Sequence, residues 1–306
     1  MSGPAAAAPA LVAVTGAAGF IGRSLCARLT RAGLRVHAFV RDPPASWPVP
    51  LEAASIRLFQ ADLPERLDRE ALAGAHAVVH CAYATRETDQ ERARRVDEDG
   101  TRVVLEASRE AGVPCFAFLS SQSAHEHATS YYGRSKLALE RLLSPERDLI
   151  FRPGLVLGRG GAGLFERMCG WVRGARVVPL FGGGRQPLQT VLIDDLTEAI
   201  LAALTRRLTG RFTVAEPRPI VLGAFLRLLA ARLGARPAFV PLPLAPTVLA
   251  LETLEALGLR LPVGSENLRG LACMRADPTA EDLIRLGVRV RSARESLETL
   301  WPPTTI

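Results

Sequence analysis

Lysine is almost absent from this chain of 306 residues, since Lys136 is the single lysine among 38 basic residues. Arginine serves wherever a cation is sufficient, so the exception indicates a need for a compact ammonium that the planar guanidinium cannot replace. Long apolar runs are absent as well, and no window approaches the roughly 20 residues of a membrane-spanning helix. We therefore expect no integral membrane segment. The first ten residues lack the positively charged start of a signal peptide, and residues 1–10 are predicted to form a disordered tail.

The cysteines form neither a metal motif nor a disulfide framework. They are five in number and are scattered along the chain at positions 26, 81, 115, 169 and 273. This usage favours a reduced, cytoplasmic setting and no metal site. The formal net charge is +7, but the arginines are dispersed, without a basic block or interleaved aromatic residues. A nucleic-acid partner is therefore not expected.

The stretch from Leu11 to Leu25 combines a short apolar strand, a glycine-rich turn and the start of a helix. Its three glycines have the spacing G-x-x-G-x-x-G. In such a turn the first glycine permits the tight bend, the second lets the backbone approach a pyrophosphate, and the third lets helix and strand pack closely. The N–H groups at the start of the helix then face the anion. The pattern predicts a dinucleotide-binding site formed by Gly16, Gly19, Phe20, Ile21 and Gly22.

Strand and helix patterns alternate along the first half of the chain, which favours a doubly wound parallel sheet. We expect a Rossmann domain over residues 11–160 and a smaller C-terminal α/β lobe for the substrate over residues 161–306, with part of 177–217 returning to the sheet. After the first strand and helix, the predicted strands lie at 35–40, 55–60, 77–82 and 115–119, and the predicted helices at 91–111 and 131–143.

Arg41 stands at the carboxyl end of the second predicted strand, about 20 residues after the glycine turn, where the ribose is read. Proteins that bind NAD commonly place an acidic residue here to hold the ribose 2′-hydroxyl, whereas a guanidinium suits the 2′-phosphate of NADP. Asp42 follows one residue later, and Arg23 could add a second cation. This interpretation prefers NADP(H) as cofactor, with NAD(H) as the alternative. A solvated arginine in a loop is the other interpretation of Arg41.

Tyr132 and Lys136 are four residues apart in a predicted helix, which puts both side chains on one helix face. An ammonium beside a phenol favours the ionised phenolate, so such a tyrosine can exchange a proton with a substrate hydroxyl or carbonyl near neutral pH. Ser121 follows the fifth predicted strand, at the sheet edge where doubly wound folds bind ligands. These three residues are the predicted catalytic site, with Ser123 as the substitute if the turn shifts the register. A chance Tyr–Lys pair on a surface helix is the alternative.

These motifs resemble those of the short-chain dehydrogenase/reductase superfamily, in the extended or atypical branch that includes the NAD-dependent epimerases and dehydratases. The resemblance covers roughly residues 11–300, and its N-terminal motifs are more specific than its C-terminal ones. The segments that carry it are 15–22, 62–63, 79–82, 120–121, 132–136, 151–154, 182–184 and 191–196.

The resemblance implies a cofactor-binding role for several matching residues beyond the glycine turn. Asp62 would contact the adenine, Leu63 and Ala82 would line the cofactor together with Pro153, and Lys136 would bind the nicotinamide ribose.

The resemblance also implies the chemistry of the site. Tyr132 would be the acid or base, Ser121 would be its partner on the substrate oxygen, and hydride would pass to or from the nicotinamide C4. A homodimer formed through the helix of Tyr132 is expected on the same ground.

Three features depart from the pattern of the family. Asp97 stands where the family often has an asparagine that takes part in a proton relay. The interval between Ser121 and Tyr132 is short for the extended branch, so a loop that usually covers the substrate is trimmed. Leu192 replaces the usual histidine, and no arginine after Gly184 stands at the position that suits sugar nucleotides. A nucleotide-sugar substrate is therefore not expected.

The C-terminal part includes an apolar helix predicted over 247–257, in which Glu252 and Glu255 form a polar face. We expect this helix to pack against the core, with an apolar pocket or a membrane contact as alternatives. The sequence as a whole predicts an NAD(P)(H)-dependent oxidoreductase that acts on a carbonyl or secondary alcohol of a small, fairly apolar molecule. One alternative is an epimerase or dehydratase that uses bound NAD(P) transiently. The other is a non-catalytic NADPH-binding protein with a structural or regulatory role.

Overall fold

The structure, a computed structural model, describes residues 10–42, 55–84, 89–161, 163–259 and 264–302. The tail predicted over 1–10 lies outside the described residues except for Ala10. The strands are β1 (Leu11–Thr15), β2 (Arg35–Val40), β3 (Ile56–Asp62), β4 (Arg66–Leu67), β5 (Ala77–His80), β6 (Cys115–Leu119), β7 (Leu149–Pro153), β8 (Leu155–Leu157), β9 (Val177–Phe181), β10 (Pro187–Leu188), β11 (Thr190–Leu192), β12 (Gly210–Val214), β13 (Ile220–Val221) and β14 (Ala238–Leu242).

Eight of these strands form one sheet in the order β12-β7-β6-β5-β1-β2-β3-β4. Strand β1 pairs in parallel with β2 on one side and with β5 on the other, while the short β4 runs antiparallel to β3. Strand order therefore reverses at β1, which is the switch point where doubly wound sheets bind ligands beyond the carboxyl ends of the strands. The predicted doubly wound parallel sheet is confirmed.

The central strands are apolar because both of their faces are covered. All five residues of β1 are buried, as are all four residues of β5. Parallel strands that are buried on both faces form continuous apolar runs and lack the alternation of a half-exposed strand. The sheet therefore holds the turn after β1 on a rigid base.

The helices begin and end close to the predicted positions in the first half of the chain. The predicted helix over 91–111 is interrupted by a π-helical turn at Arg95–Asp99, and short three-ten turns lie at Arg69–Leu72 and Gly182–Gly184. The helices are α1 (Phe20–Arg31), α2 (Gln90–Arg94), α3 (Gly100–Glu110), α4 (Tyr131–Glu140), α5 (Leu164–Gly174), α6 (Ile193–Thr205), α7 (Leu222–Arg232), α8 (Leu244–Ala256), α9 (Ser265–Ala272), α10 (Ala280–Leu286) and α11 (Ala293–Leu300).

The chain divides into two compact units. The first comprises Met1–Leu119, Leu143–Ile150 and Ile200–Gly210, and the second comprises Ser120–Leu142, Phe151–Ala199 and Arg211–Ile306. The domain boundary predicted at residue 160 stays a prediction.

The second unit has a hydrophobic core of its own and three small sheets. Strands β8 and β11 pair in parallel, as do β9 and β14, while β10 and β13 pair antiparallel. Phe165, Phe225 and Leu297 are among the buried side chains of this core. Among the described residues, no helix is long and apolar enough to cross a membrane.

The expected packing of the apolar helix α8 against the core is wrong, because none of its residues is buried. Its two acidic side chains are directed to α9, where Glu252 pairs with Arg269 and Glu255 accepts hydrogen bonds from Ser265. With its charged side chains engaged on α9, the helix leaves apolar side chains in water, and Leu249 is 65% exposed.

Candidate active site

The turn after β1 has a shape that only glycine permits at two positions. Gly16 has a φ of +63° in the left-handed region, and a Cβ there would lie 2.6 Å from the backbone nitrogen of Ala82. A Cβ on Gly22 would lie 2.8 Å from the Cα of Ala17. These close approaches let α1 begin directly over the strand end, as a dinucleotide-binding turn requires.

Among the described residues, no side chain caps the N-terminal end of α1. Its N-cap is Gly19, which offers no side-chain hydrogen bond, and the first turn holds no acidic residue. The guanidinium of Arg23 lies 5.7 Å from the ring centre of Phe20, on the first turn of the same helix. Uncapped N–H groups, a positive helix end and a nearby cation fit the pyrophosphate of a dinucleotide.

Arg41 follows the last residue of β2 directly and is exposed. Its Nε lies 3.6 Å from a carboxylate oxygen of Asp42, and the two side chains are 69% and 90% exposed. A pair this exposed is weak because water screens it. The guanidinium therefore stays accessible to a ligand.

The other predicted cofactor residues of the first unit lie at the ends of β3 and β5. Asp62 is exposed at the end of β3, whereas Leu63 is buried. Gly100 at the start of α3 approaches Leu63 so closely that a Cβ there would lie 2.9 Å from the Cβ of Leu63. Ala82, two residues after β5, is half-buried against Gly16.

A buried polar chain in the first unit was not predicted from the sequence. The His80 ring nitrogens lie 2.7 Å from the Thr15 hydroxyl through Nδ1 and 3.0 Å from the Thr101 hydroxyl through Nε2. The Thr101 hydroxyl donates to the carbonyl of Asp97 at 2.5 Å, so it accepts from His80, and this assigns a proton to Nε2. These hydrogen bonds thus join the end of β1 to the end of β5 and to α3.

Asp97 is buried in the π-helical turn, and its Oδ1 accepts the backbone N–H of Ala84 at 2.7 Å. An asparagine oxygen could accept the same bond. The departure from the family pattern at this position therefore preserves one acceptor at the same place, and π-helical turns are frequent at functional sites.

In the second unit, the serine segment packs directly against the helix that bears the tyrosine. Ser121 is half-buried, and its hydroxyl accepts the N–H of Ser123 at 3.1 Å. The Ser123 carbonyl is so close to α4 that a Cβ on Gly133 would clash with it. Between these two serines, the backbone N–H of Gln122 donates to the carbonyl of Pro153 at 3.1 Å. The structure therefore brings the serine segment together with the start of α4 and with the end of β7.

Helix α4 presents its two predicted catalytic residues differently. Tyr132 is 39% exposed, whereas Lys136, one turn later, is only 4% exposed. The helix starts at a true N-cap, because the Ser130 hydroxyl accepts the N–H of Gly133. The only lysine is thus almost entirely buried, one helical turn after a tyrosine that is partly exposed to solvent.

A buried ion pair between Glu140, the last residue of α4, and Arg152 was not predicted from the sequence. Glu140, one turn after Lys136, accepts two hydrogen bonds from Arg152 of β7 and one from the hydroxyl of Ser120. Arg211 also approaches the Glu140 carboxylate, with its Nε at 3.3 Å. The spacing of Glu140 from Lys136 was a readable signal, since residues four apart share a helix face.

The loop between Ser121 and α4 contains two histidines, His125 and His127. Burial lowers the pKa of His125 below its usual range, and the positive charge of Arg275 lowers this pKa further. The imidazole is therefore neutral near pH 7.

Residues 12–215 match the sequence model of the NAD dependent epimerase/dehydratase family. The chain belongs to this family. The family resemblance predicted from the motifs is thereby confirmed, and with it NAD binding on the Rossmann fold that the sheet shows.

Curated relatives of this family member include proteins named as reductases. An uncharacterized protein of Sinorhizobium fredii is 27% identical over 272 residues, covering 82% of this chain and 67% of that protein. A ceramide reductase of Caulobacter vibrioides is 37% identical over 166 residues, covering 51% of this chain, and the match spans only half of that protein's length. A 4-hydroxy-2-methyl-3-oxo-4-farnesyl-3,4-dihydroquinoline-1-oxide ketoreductase of Stigmatella aurantiaca is 26% identical over 240 residues, 71% of each chain.

Solved structures similar to this family member show the same fold. MoeE5 in complex with UDP-glucose and NAD has a TM-score of 0.71 at 22% identity and covers 94% of this chain and 96% of that chain. The human epimerase family protein SDR39U1 with NADPH has a TM-score of 0.69 at 20% identity and covers 95% of this chain and 98% of that chain.

Proposed function

We propose that this chain is an oxidoreductase that prefers NADP(H) and reduces a carbonyl, or oxidises a secondary alcohol, of a small and fairly apolar molecule. The observation that carries the proposal is the placement of the sole lysine, Lys136, buried one helical turn after the half-exposed Tyr132. A chance pair on a surface helix would leave both side chains in water, and here the ammonium is enclosed.

The residues of the first unit would hold the cofactor. The glycine turn with the uncapped start of α1 suits the pyrophosphate, and the accessible guanidinium of Arg41 suits a 2′-phosphate. Asp62 would contact the adenine, and Leu63 and Ala82 would line the cofactor. Pro153 and Lys136 also belong to the proposed set of cofactor residues.

NADPH, when bound, supplies the hydride that the carbonyl carbon accepts. Tyr132 would donate the proton that the carbonyl oxygen needs, so that carbonyl, hydride and proton together give the alcohol. The Ser121 hydroxyl would donate a hydrogen bond to the same oxygen. The ammonium of Lys136 would stabilise the phenolate that Tyr132 leaves behind.

The names of the relatives support a reductase. The proteins of Caulobacter and Stigmatella are named for the reduction of a ceramide and of a ketone, and both names denote apolar molecules. Because the match with the ceramide reductase spans only half of that protein, the substrate of this chain is proposed at the level of chemical class.

An epimerase or dehydratase is the second candidate, and the likeness to a protein solved with UDP-glucose and NAD favours it. Such an enzyme regenerates its cofactor in each turnover, whereas a reductase consumes NADPH. Steady consumption of free NADPH with a ketone therefore separates the two. A non-catalytic NADPH-binding protein would show neither activity.

The experiment is a titration of the purified protein with NADPH and with NADH, in which Arg41→Ala and the control Arg31→Ala accompany the wild type. Arg31 is an exposed arginine at the end of α1. We expect tighter binding of NADPH, and a loss of about tenfold in NADPH affinity in Arg41→Ala alone, because one charge-assisted contact to a phosphate is removed. Equal or tighter binding of NADH would mean that Asp42, and not Arg41, contacts the ribose and accepts a hydrogen bond from its 2′-hydroxyl.

The catalytic half of the proposal is tested by NADPH oxidation with a panel of apolar ketones. Tyr132→Phe removes the proton donor and leaves the ring, so we expect the rate to fall roughly 100-fold or more while NADPH still binds. An unchanged rate would exclude the proposed role of Tyr132. The cytoplasmic setting and the homodimer stay predictions.

A further inference from the structure

Helix α9 and Cys273, the residue that follows it, contact the first turn of α4 and the two residues before it. The carboxylate of Glu266 accepts the backbone N–H of Tyr131, the first residue of α4, at 2.9 Å. The Thr129 hydroxyl lies 3.2 Å from the Cys273 sulfur. Gly270 packs on the N-cap Ser130, since a Cβ at residue 270 would lie 3.8 Å from the Ser130 hydroxyl oxygen. The loop and first turn that lead into Tyr132 are thus held by α9.

Glu266 is itself fixed by a neighbouring cation. Arg269 binds the other carboxylate oxygen of Glu266 at 3.0 Å through Nη1 and binds Glu252 of α8 at 2.7 Å through Nη2. A guanidinium that bridges two carboxylates with separate N–H groups restricts the rotation of both. The two hydrogen bonds on Glu266, one from α9 itself and one from α4, therefore define its position.

The backbone N–H groups of the first turn of α4 find their hydrogen-bond acceptors outside the turn. The Ser130 hydroxyl accepts from Gly133, and the first turn contains no acidic residue. The negative charge that favours the start of a helix comes here from Glu266, which is 135 residues away in sequence. Tyr132 is the next residue after the N–H that Glu266 binds.

We propose that Glu266, held by Arg269, is a positioning residue that fixes the first turn of α4 and with it the phenol of Tyr132. This inference rests on the proposed function, in which Tyr132 delivers a proton. A displacement of about 1 Å in a reacting group can cost roughly 100-fold in rate, so the loss of this tie is expected to lower kcat.

The experiment compares Glu266→Ala, Glu266→Gln and the control Glu295→Ala. Glu295 is a matched control because it also serves a helix start, forming a capping box with Ser292 at α11. We expect kcat for ketone reduction to fall at least about tenfold in Glu266→Ala, with the KM for NADPH unchanged. The amide oxygen of Glu266→Gln can accept the same N–H, so this variant should recover most of the rate. Arg269→Met should lie between the two.

Amide hydrogen exchange of the segment 130–140 gives a readout that does not need activity. Exchange at the start of α4 should rise in Glu266→Ala and stay at the wild-type level in Glu295→Ala. An active wild type with an unchanged kcat in Glu266→Ala, or an equal loss in Glu295→Ala, overturns this inference alone. A wild type that binds NADPH but reduces no ketone removes the proposed function, and the positioning role falls with it even if exchange rises.

Discussion

Glu140 and Arg152 form a two-point ion pair inside the second unit, with Arg152 Nε 2.8 Å from Glu140 Oε1 and Nη2 2.6 Å from Oε2. The side chains are 1% and 11% exposed. Removing two charges from water is costly, and the bidentate geometry together with the Ser120 hydroxyl offsets this cost. The pair joins α4 to β7. Glu140 lies one helical turn after Lys136, and Ser120, which donates to Glu140, directly precedes Ser121.

Breaking this pair from one side should be severe. Arg152→Met leaves the Glu140 carboxylate buried without its main partner, and we expect a loss of about 3–5 kcal/mol in the free energy of unfolding. The measurement is equilibrium unfolding in urea. Arg141→Met is the control, because Arg141 pairs with Glu126 on the surface, where the side chains are 65% and 70% exposed. There the loss should stay below about 1 kcal/mol, and similar losses in both variants would contradict the assignment.

A methyl group at Gly22 should disrupt the glycine turn. The Cβ of Gly22→Ala would lie 2.8 Å from the Cα of Ala17 and would force α1 away from β1. We expect a loss of about 1–3 kcal/mol in stability and a large loss of NADPH affinity, measured by urea unfolding and by cofactor titration. In Gly170→Ala, the added Cβ has no atom within 4 Å, so stability should be unchanged or slightly higher. Unimpaired cofactor binding in Gly22→Ala would exclude this turn as the pyrophosphate site.

Lys136→Arg tests why the chain keeps one lysine. The guanidinium is larger than the ammonium and does not fit the same buried position, one turn after Tyr132, so the rate of ketone reduction should fall roughly 100-fold. Arg141→Lys, an exchange of cations at an exposed position of the same region, should leave the rate unchanged. If Lys136→Arg were fully active, the position would need a positive charge only, and the compact ammonium would have no special role.

The stability of the second unit should depend on pH through Glu216. This carboxyl is buried, accepts hydrogen bonds from the backbone N–H groups of Thr190 and Ala293 and from the Thr190 hydroxyl, and burial raises its pKa. A carboxyl with a raised pKa in the folded state stabilises the protein fully below its unfolded pKa of about 4.3. That contribution is lost as the pH rises through the folded pKa.

The measurement is the difference in unfolding free energy between the wild type and Glu216→Gln, which cannot titrate, from pH 4.5 to pH 7.5. We expect the wild type to lose stability relative to the variant as the pH rises. Burial also raises the pKa of Asp195, but that carboxyl is present in both proteins and cancels in the difference. A wild type that gains stability relative to Glu216→Gln as the pH rises would contradict the assignment.

Local patterns were sufficient for several strands of the sheet and for the start of α4. The apolar runs predicted β2 and β6 with their observed bounds, because a strand buried on both faces consists of little else than apolar residues. The helical pattern of residues 131–143 located the start of α4 correctly. Its predicted end at residue 143 was three residues too late, since the helix ends at Glu140 and the chain turns there.

The contacts that position the residues of the candidate site join distant parts of the sequence. The hydrophobic periodicity of a helix or strand is a local pattern and does not predict such contacts. Glu140 meets Arg152 across a helix and a strand, and Glu266 reaches Tyr131 from another helix altogether. The exposed position of α8 was mispredicted for a related reason. A helical pattern shows which side chains share a face, whereas the neighbour that each face meets is decided by the tertiary structure.

The enclosure of Lys136 has a practical consequence for covalent labelling. Amine-directed reagents, such as succinimidyl esters or aldehyde crosslinkers, need a side-chain amine that is exposed and uncharged. The chain offers them one lysine, and that lysine is 4% exposed in α4. Lysine-based tags and crosslinks will therefore attach poorly to the folded protein, and a lysine that does react reports that α4 has opened.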